Sequence, residues 1–348
     1  MFSAHRKKSI LITGGCGMIG SNLVRRLLKD GWDVSVADNL WRGKIDYLYD
    51  EDGKALIDLE KDFYRVDLCD REACERVVGR TDYIVHLAAR VAGIEYVFEN
   101  QGDIFRINNL INSNVFHAAR KAGRDRIKGI IYVGTACSFP MTRQNMPDPE
   151  PLREDELFPA YPESAYGWSK LMGQLELEYL EKETGIPCCT LILHNVYGSP
   201  TDYGERSQVI PALIRKAVNF PVEEYVVLGN GKQERAFIHV DDVIEAFVLA
   251  LEKGWGKGCI QIGPSYCTSI REVVETVIGI SGKKIQPHFD VSRPEGNKAR
   301  CADYSKAREI LGWEPRIKLE EGLSRSYKWI EDSIRKDRVG TTKEGTAT

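Results

Sequence analysis

The stretch Thr13-Gly14-Gly15-Cys16-Gly17-Met18-Ile19-Gly20 decides how the rest of the chain is read. Apolar residues from Ser9 to Thr13 precede it as a short strand. Ile19 to Leu28 comes next as a helix with one apolar face, with Arg25, Arg26 and Lys29 outward and Gly31 ending it. Glycines at 14, 17 and 20 let the backbone turn tightly, approach a pyrophosphate closely and pack helix on sheet. The helix N-terminus then faces the phosphates. A glycine-rich loop alone is a weak signal, but between a strand and a helix it points to a dinucleotide site. A second strand, Val34 to Ala37, leads into Asp38. A carboxylate there accepts from the adenine-ribose hydroxyls and repels a 2′-phosphate, which favours NAD over NADP. Arg42 nearby would suit a 2′-phosphate, or it is an ordinary surface arginine.

Strand and helix go on alternating: Asp82 to Leu87, a long helical stretch from about Gly102 to Ala122, Gly129 to Val133, a helix after Tyr166, and Cys188 to Leu193. This implies an α/β fold, a Rossmann-type doubly wound parallel sheet. Met141 to Pro162 is rich in proline and acid and reads as a long surface loop. Beyond Tyr197 the pattern is less regular, with helices expected near Val209 to Val218, Val240 to Lys253, Ile270 to Ile280 and Ser305 to Leu311. The expected division is a dinucleotide-binding domain over 1–195, joined again by a segment near 236–262, and a smaller C-terminal lobe over 196–335. The polar stretch 336–348 is expected to be disordered.

The chain has 348 residues, 43% hydrophobic and 28% charged, with a formal net charge of −3. That is an ordinary soluble composition with no basic field for nucleic acid or anionic lipid. Apolar runs such as Ala246 to Leu251 are too short to span a bilayer. After His5-Arg6-Lys7-Lys8 come a strand and a glycine loop, not the apolar core of a secretion signal. The nine cysteines are odd in number and scattered without C-x-x-C spacing. They read as reduced thiols in a cytoplasm, with no metal.

Tyr166-Gly167-Trp168-Ser169-Lys170 opens a helix, so Tyr166 and Lys170 share one face. A nearby ammonium and an oxidised nicotinamide both favour a phenolate and are expected to lower the tyrosine pKa. Tyr166 can then take a proton from a substrate hydroxyl while hydride leaves for the cofactor. Thr135, in Gly134-Thr135-Ala136-Cys137-Ser138-Phe139-Pro140, can hydrogen-bond the same oxygen. The same threonine also reads as the cap of the next turn, and Cys137 as a small packing residue.

Taken together these residues resemble the extended short-chain dehydrogenase/reductase family, in its nucleotide-sugar epimerase branch. The matching stretches run through nearly the whole chain: the Gly14 to Gly20 loop, Asp38-Asn39-Leu40, Asp67-Leu68, Leu87-Ala88-Ala89, Thr135, Tyr166 with Lys170, Asn195-Val196-Tyr197-Gly198, Arg235 to Asp242, and Arg293-Pro294-Glu295-Gly296. The resemblance implies that Gly14, Gly17, Met18, Ile19, Gly20, Asp38, Asn39, Asp67, Leu68, Leu87, Ala88, Ala89, Tyr166 and Lys170 hold NAD. It implies that the C-terminal lobe binds a nucleoside diphosphate sugar, with Asn195, Arg235 and Arg293 or Arg300 on the diphosphate or nucleotide. Guanidinium forks suit that task. It also implies a homodimer built on the helices flanking the Tyr–Lys segment.

Members of this family share oxidation of C4 of the sugar and differ in the chemistry done on the resulting ketone. Dehydratases carry an acid just after the threonine, where this chain has Ala136 and Cys137. The Cys-x-x-Pro form resembles the GDP-mannose 3,5-epimerases and the GDP-fucose synthases, in which this cysteine removes a proton beside the ketone. A GDP-sugar is therefore favoured, and Asp38 argues against the NADPH that a fucose synthase needs. Arg90-Val91-Ala92-Gly93-Ile94 resembles their substrate loop, with Ala92 where a second glycine is usual. Those relatives place a lysine or histidine as general acid where this chain has Gln208, just before Val209. His194, read as a core histidine, and Lys216, further along the helix, are poor replacements. A 4-epimerase, a C4 dehydrogenase and a non-catalytic NAD-binding regulator are the alternatives.

Overall fold

The computed structural model describes residues 7–146, 148–292 and 296–344. Arg293 lies outside them. Seven strands form the central sheet: β1 (Ser9–Thr13), β2 (Asp33–Asp38), β3 (Phe63–Arg65), β4 (Tyr83–His86), β5 (Gly129–Thr135), β6 (Cys188–Leu193) and β7 (Gly258–Ile262). Their spatial order is β7-β6-β5-β4-β1-β2-β3, with every neighbouring pair parallel. The order reverses between β1 and β4, so a crevice opens at their carboxyl ends.

Helices cover both faces, as a parallel sheet requires. Against one face lie α1 (Met18–Lys29) and α5 (Val240–Lys253); against the other lie α2 (Arg71–Val78), α3 (Gln101–Ala122) and α4 (Ala165–Thr184). The α1 sequence shows why: Leu23, Val24 and Leu27 fall on one stripe and are fully buried. Each such side chain contributes about 1.5–3 kcal/mol by leaving water.

The smaller lobe rests on three helices, Val209–Asn219, Ile270–Ser281 and Leu319–Glu344, with Ile214, Val273, Val277, Leu323 and Ile330 in its core. A small sheet sets Glu234–Arg235 between Thr268–Ser269 and Ala299–Arg300. The chain returns from this lobe through α5 to β7, which pairs with β6 at the edge of the main sheet.

Two features differ from the sequence reading. The stretch from 336, expected to be disordered, continues the last helix as far as Glu344. Leu323, Tyr327, Ile330 and Ile334 recur at helical spacing and anchor that helix in the lobe core, so helix carries on through the polar residues. The nine cysteines are not all free: Cys267 and Cys301 form a disulfide, with Cα atoms 5.3 Å apart, and the other seven are free thiols. These two lie 34 residues apart in sequence and meet because they flank the outer strands of the three-stranded sheet. No spacing rule could have paired them. Among the described residues no helix is long and apolar enough to cross a membrane.

Peptide mapping without reductant should recover Cys267 joined to Cys301. Reduction should lower the unfolding free energy by about 2–4 kcal/mol, the usual worth of a cross-link closing a loop of this size. Two free peptides from the oxidised protein, or an unchanged melting temperature on reduction, would contradict the pairing.

Candidate active site

A cleft of about 1090 Å³ runs along the carboxyl ends of the strands and between sheet and lobe. It is lined by Gly14, Gly17, Met18, Ile19, Gly20, Asp38, Asn39, Asp67, Leu68, Leu87, Ala88 and Ala89 at one end. This is the set expected for the dinucleotide. A Cβ on Gly20 would lie 2.4 Å from the Gly14 carbonyl oxygen, so only glycine allows α1 to start this close to the loop. No side chain caps α1, and its first turn carries no acid. Its free N–H groups and positive end are therefore left for an anion. Asp38 ends β2 nearly buried and accepts from the Cys16 N–H (3.0 Å) and the Leu40 N–H (2.8 Å). Burial raises its carboxyl pKa, and those two hydrogen bonds oppose the rise. Arg42 donates to the Val91 carbonyl at 3.0 Å and pairs with Asp202 at 3.5 Å, so it ties the cleft walls together.

Further along the cleft come Thr135, Cys137, Tyr166 and Lys170. The Thr135 hydroxyl accepts from the Cys137 N–H at 3.2 Å, capping a short 3₁₀ turn, and also hydrogen-bonds Tyr166. The cap expected of that threonine is present. The cap positions the thiol while the hydroxyl faces the phenol. Gly167 explains how α4 comes so near, because a Cβ there would sit 2.3 Å from the Cys137 carbonyl oxygen. Lys170 is buried, donates to the Val133 carbonyl at 2.9 Å and lies 4.9 Å above the Tyr132 ring. Burial lowers its pKa to about 7.

The expected lowering of Tyr166 is not seen. Burial, and then the neighbouring Cys137, raise the phenol, while the Thr135 hydrogen bond pulls the other way. Lys170 spends its hydrogen bond on Val133 rather than on the phenol.

The lobe side of the cleft holds Asn195, Gln208, Val209, Arg235 and Arg300, with Val91, Ala92 and Gly93 between the two walls. The Gly93 N–H donates to the Arg206 carbonyl at 3.0 Å, binding that loop to the lobe. His194 bonds Gln261 at 3.0 Å and is driven to a pKa of about 4 by burial, as suits a core histidine. Lys216 is held by the Val226 carbonyl.

Four participants escaped the sequence reading. Gln233 leaves both amide atoms, and Ser207 its hydroxyl, buried against the cleft without a partner among the described residues. Gln233 stands two residues before Arg235, which was the available signal. Gln144, in the proline-rich excursion, and Glu163, directly after it, reach Arg300, and no pattern marked either.

Comparison with known proteins agrees with this geometry. Residues 10–263 match the model of the NAD dependent epimerase/dehydratase family, and the chain belongs to that family. It is 33% identical over 331 residues to GDP-mannose 3,5-epimerase of Arabidopsis thaliana, covering 95% of this chain and 84% of that one. It is 30% identical to a putative UDP-glucose 4-epimerase of Methanocaldococcus jannaschii, covering 94% and 99%. Among solved structures, UDP-glucose 4-epimerase of Thermotoga maritima superposes with a TM-score of 0.82 at 29% identity, covering 94% of this chain and 99% of that one.

The Lys170 pKa gives a prediction with a definite sign. Its folded value, about 7, lies below the ordinary lysine value of 10.5. Between the two the unfolded chain binds more protons, so this residue adds stability as pH rises through that window and loses it as pH falls. Lys170→Met should flatten the melting temperature between about pH 7 and 10 relative to wild type. Parallel pH curves for the two proteins would contradict the burial of this ammonium.

Proposed function

We propose that the chain is an NAD-dependent epimerase of a nucleoside diphosphate sugar, a GDP-sugar in preference, working through a transient C4 ketone and proton exchange at C3 or C5. The carrying observation is one half-buried thiol, Cys137, in the same short turn as Thr135 and against the N-terminal turn of the helix bearing Tyr166 and Lys170. A 4-keto group acidifies the hydrogens on C3 and C5, and a thiolate is a usable base for them.

NAD, which Gly14, Gly17, Gly20 and Asp38 would hold, would supply a hydride acceptor for C4 and a positive ring able to lower the raised phenol of Tyr166. Tyr166 removes the C4 hydroxyl proton, and Thr135 holds that oxygen. Lys170 fixes the helix and supplies positive charge. Cys137 takes and returns the proton beside the ketone. Asn195 and Arg235, with Gln233 and Ser207, are assigned to the nucleotide sugar. A homodimer through α3 and α4 is supported by exposed apolar side chains on those helices, Phe105, Leu110 and Tyr179.

Gln208 favours a second reading. A neutral amide stands where relatives carry an acid, so a simple 4-epimerase, or inversion at one centre, competes with double epimerisation.

Incubation with GDP-mannose and with UDP-glucose in heavy water, read by NMR, tests this. Deuterium at C3 or C5 is expected. C4 inversion without incorporation would establish the second reading instead. Tyr166→Phe should lower turnover by at least about a hundredfold. Cys137→Ala should keep C4 oxidation and lose exchange, and unchanged exchange in that variant would remove the thiol from the mechanism.

A further inference from the structure

Arg235 and Arg300 lie in register on adjacent strands, and both face the cleft, yet their guanidinium groups are committed differently. Arg300 has every nitrogen engaged. Its Nε donates to Gln144 Oε1 at 2.5 Å, Nη1 to Cys137 Sγ at 2.9 Å, and Nη2 to Glu163 Oε2 at 3.3 Å. Arg235 donates through Nη1 to the Glu234 and Asn297 carbonyls, both at 2.8 Å, and its other nitrogens take no partner among the described residues. One arginine has each of its three nitrogens engaged by the protein; the other keeps its Nε and Nη2 without a partner among the described residues.

The ligands of Arg300 form a closed set. Gln144 Oε1 also accepts from Asn297 Nδ2 at 3.0 Å, and Gln144 Nε2 donates to the Phe139 carbonyl at 2.8 Å, two residues beyond Cys137. Glu163 Oε2 accepts from the same Asn297 amide at 3.0 Å. Gln144 and Asn297 are buried, and Arg300 is 5% exposed. The network thus fastens the guanidinium to the turn that carries the thiol.

We propose that Arg300 is the dedicated partner of Cys137 rather than a diphosphate ligand, with Gln144 and Glu163 as the positioning residues that hold its guanidinium on the sulfur. This rests on the reading of Cys137 as the exchanging group. A guanidinium keeps its charge at any working pH, and its hydrogen bond to sulfur strengthens when the sulfur is an anion. Arg235, with its Nε and Nη2, is left to the diphosphate. Burial, and then the charge of Arg300, lower its pKa to about 10, with Glu163 and Cys137 opposing the fall. The charged and titratable groups facing Cys137 are Arg300, Arg235 beside it and Tyr166 from α4. Glu163 stands behind Arg300, His194 adjoins it as a neutral ring, and Arg42 faces Tyr166.

The test is the pH profile of Cys137 alkylation by iodoacetamide, read by peptide mass spectrometry, together with GDP binding by calorimetry. Arg300→Gln should move the profile to higher pH by about one unit, slowing alkylation at neutral pH about tenfold, with GDP affinity little changed. Gln144→Leu should move it in the same direction by less. Arg235→Gln should weaken GDP about tenfold or more and leave the profile in place. Should Arg300→Gln fail to fold, Arg300→Lys, which keeps the charge and loses the fork, should move the profile the same way by a smaller amount. An unmoved profile with weakened GDP binding in either Arg300 variant would overturn the proposal. Alkylation reports the Arg300–Cys137 pair whether or not the thiol is catalytic. A shifted profile beside unimpaired exchange in Cys137→Ala would thus refute the mechanism and keep the pairing.

Discussion

A single line of buried hydrogen bonds joins the two halves of the active site. Thr13, at the end of β1, accepts from the Leu87 and Ala88 N–H groups, so its hydroxyl proton goes to His86 Nδ1 at 2.7 Å. The histidine is kept neutral by burial, its pKa pushed down to about 3, and its Nε2–H meets Asn112 Oδ1 at 3.1 Å. Asn112 donates to the Tyr132 hydroxyl at 3.2 Å and to the Ser169 carbonyl at 3.3 Å, and Tyr132 donates to the Lys170 carbonyl at 3.3 Å. Every donor in this series finds an acceptor in one direction only. A fully satisfied buried network is rigid, and a half-satisfied one is costly. The loop that receives the dinucleotide and the helix that presents Tyr166 are therefore set against each other by the core, before any ligand arrives.

The same core explains a lysine taken out of water. An isolated buried ammonium costs several kcal/mol, and the Val133 carbonyl and Tyr132 ring offset part of that. The remainder shows as the fall of its pKa to about 7. Tyr166 is affected in the opposite sense, since burial disfavours its anion. Both ends of the pair are thus biased toward the neutral form by the protein itself. A cationic ring entering the cleft would favour the phenolate, so the pair becomes competent together with its cofactor. The walls are tied for such an occupant: Arg42 bonds both Val91 and Asp202, and Gly93 bonds Arg206, so loops from the sheet side grip the lobe.

Much of this was legible in the residues. The helices Val240–Lys253 and Ser305–Leu311 begin and end where periodicity puts them, because their apolar stripes face a core and glycines come directly after them. The loop around Gly14 was legible because each glycine has a mechanical reason. The features that escaped are long-range. Cys267 and Cys301 pair through a sheet of very short strands that leave no alternation to read. Gln144 sits in, and Glu163 directly after, an excursion whose prolines and acids read as surface, yet it folds back to bury Leu152 and Leu157 and to brace Arg300. The last helix ran past its expected end because anchoring residues upstream carry the polar turns with them.

The departure at Gln208 then separates two quantities that travel together in a double epimerase. This residue stands at the start of the helix Val209–Asn219 and its side chain caps nothing. Lys216, eight residues on, points its ammonium at the Val226 carbonyl. A carbanion beside the ketone inverts only if a proton reaches the ring face opposite the one it left. Cys137 alone returns its proton to the same face, which gives exchange with solvent and no change of configuration. On the proposed mechanism, exchange would measure the thiol, and inversion would measure whatever delivers a proton past Gln208. If that deliverer is water, the amide of Gln208 has the right chemistry to orient it, its oxygen accepting a hydrogen bond from one O–H while the other proton goes to carbon and the hydroxide left behind is reprotonated from solvent.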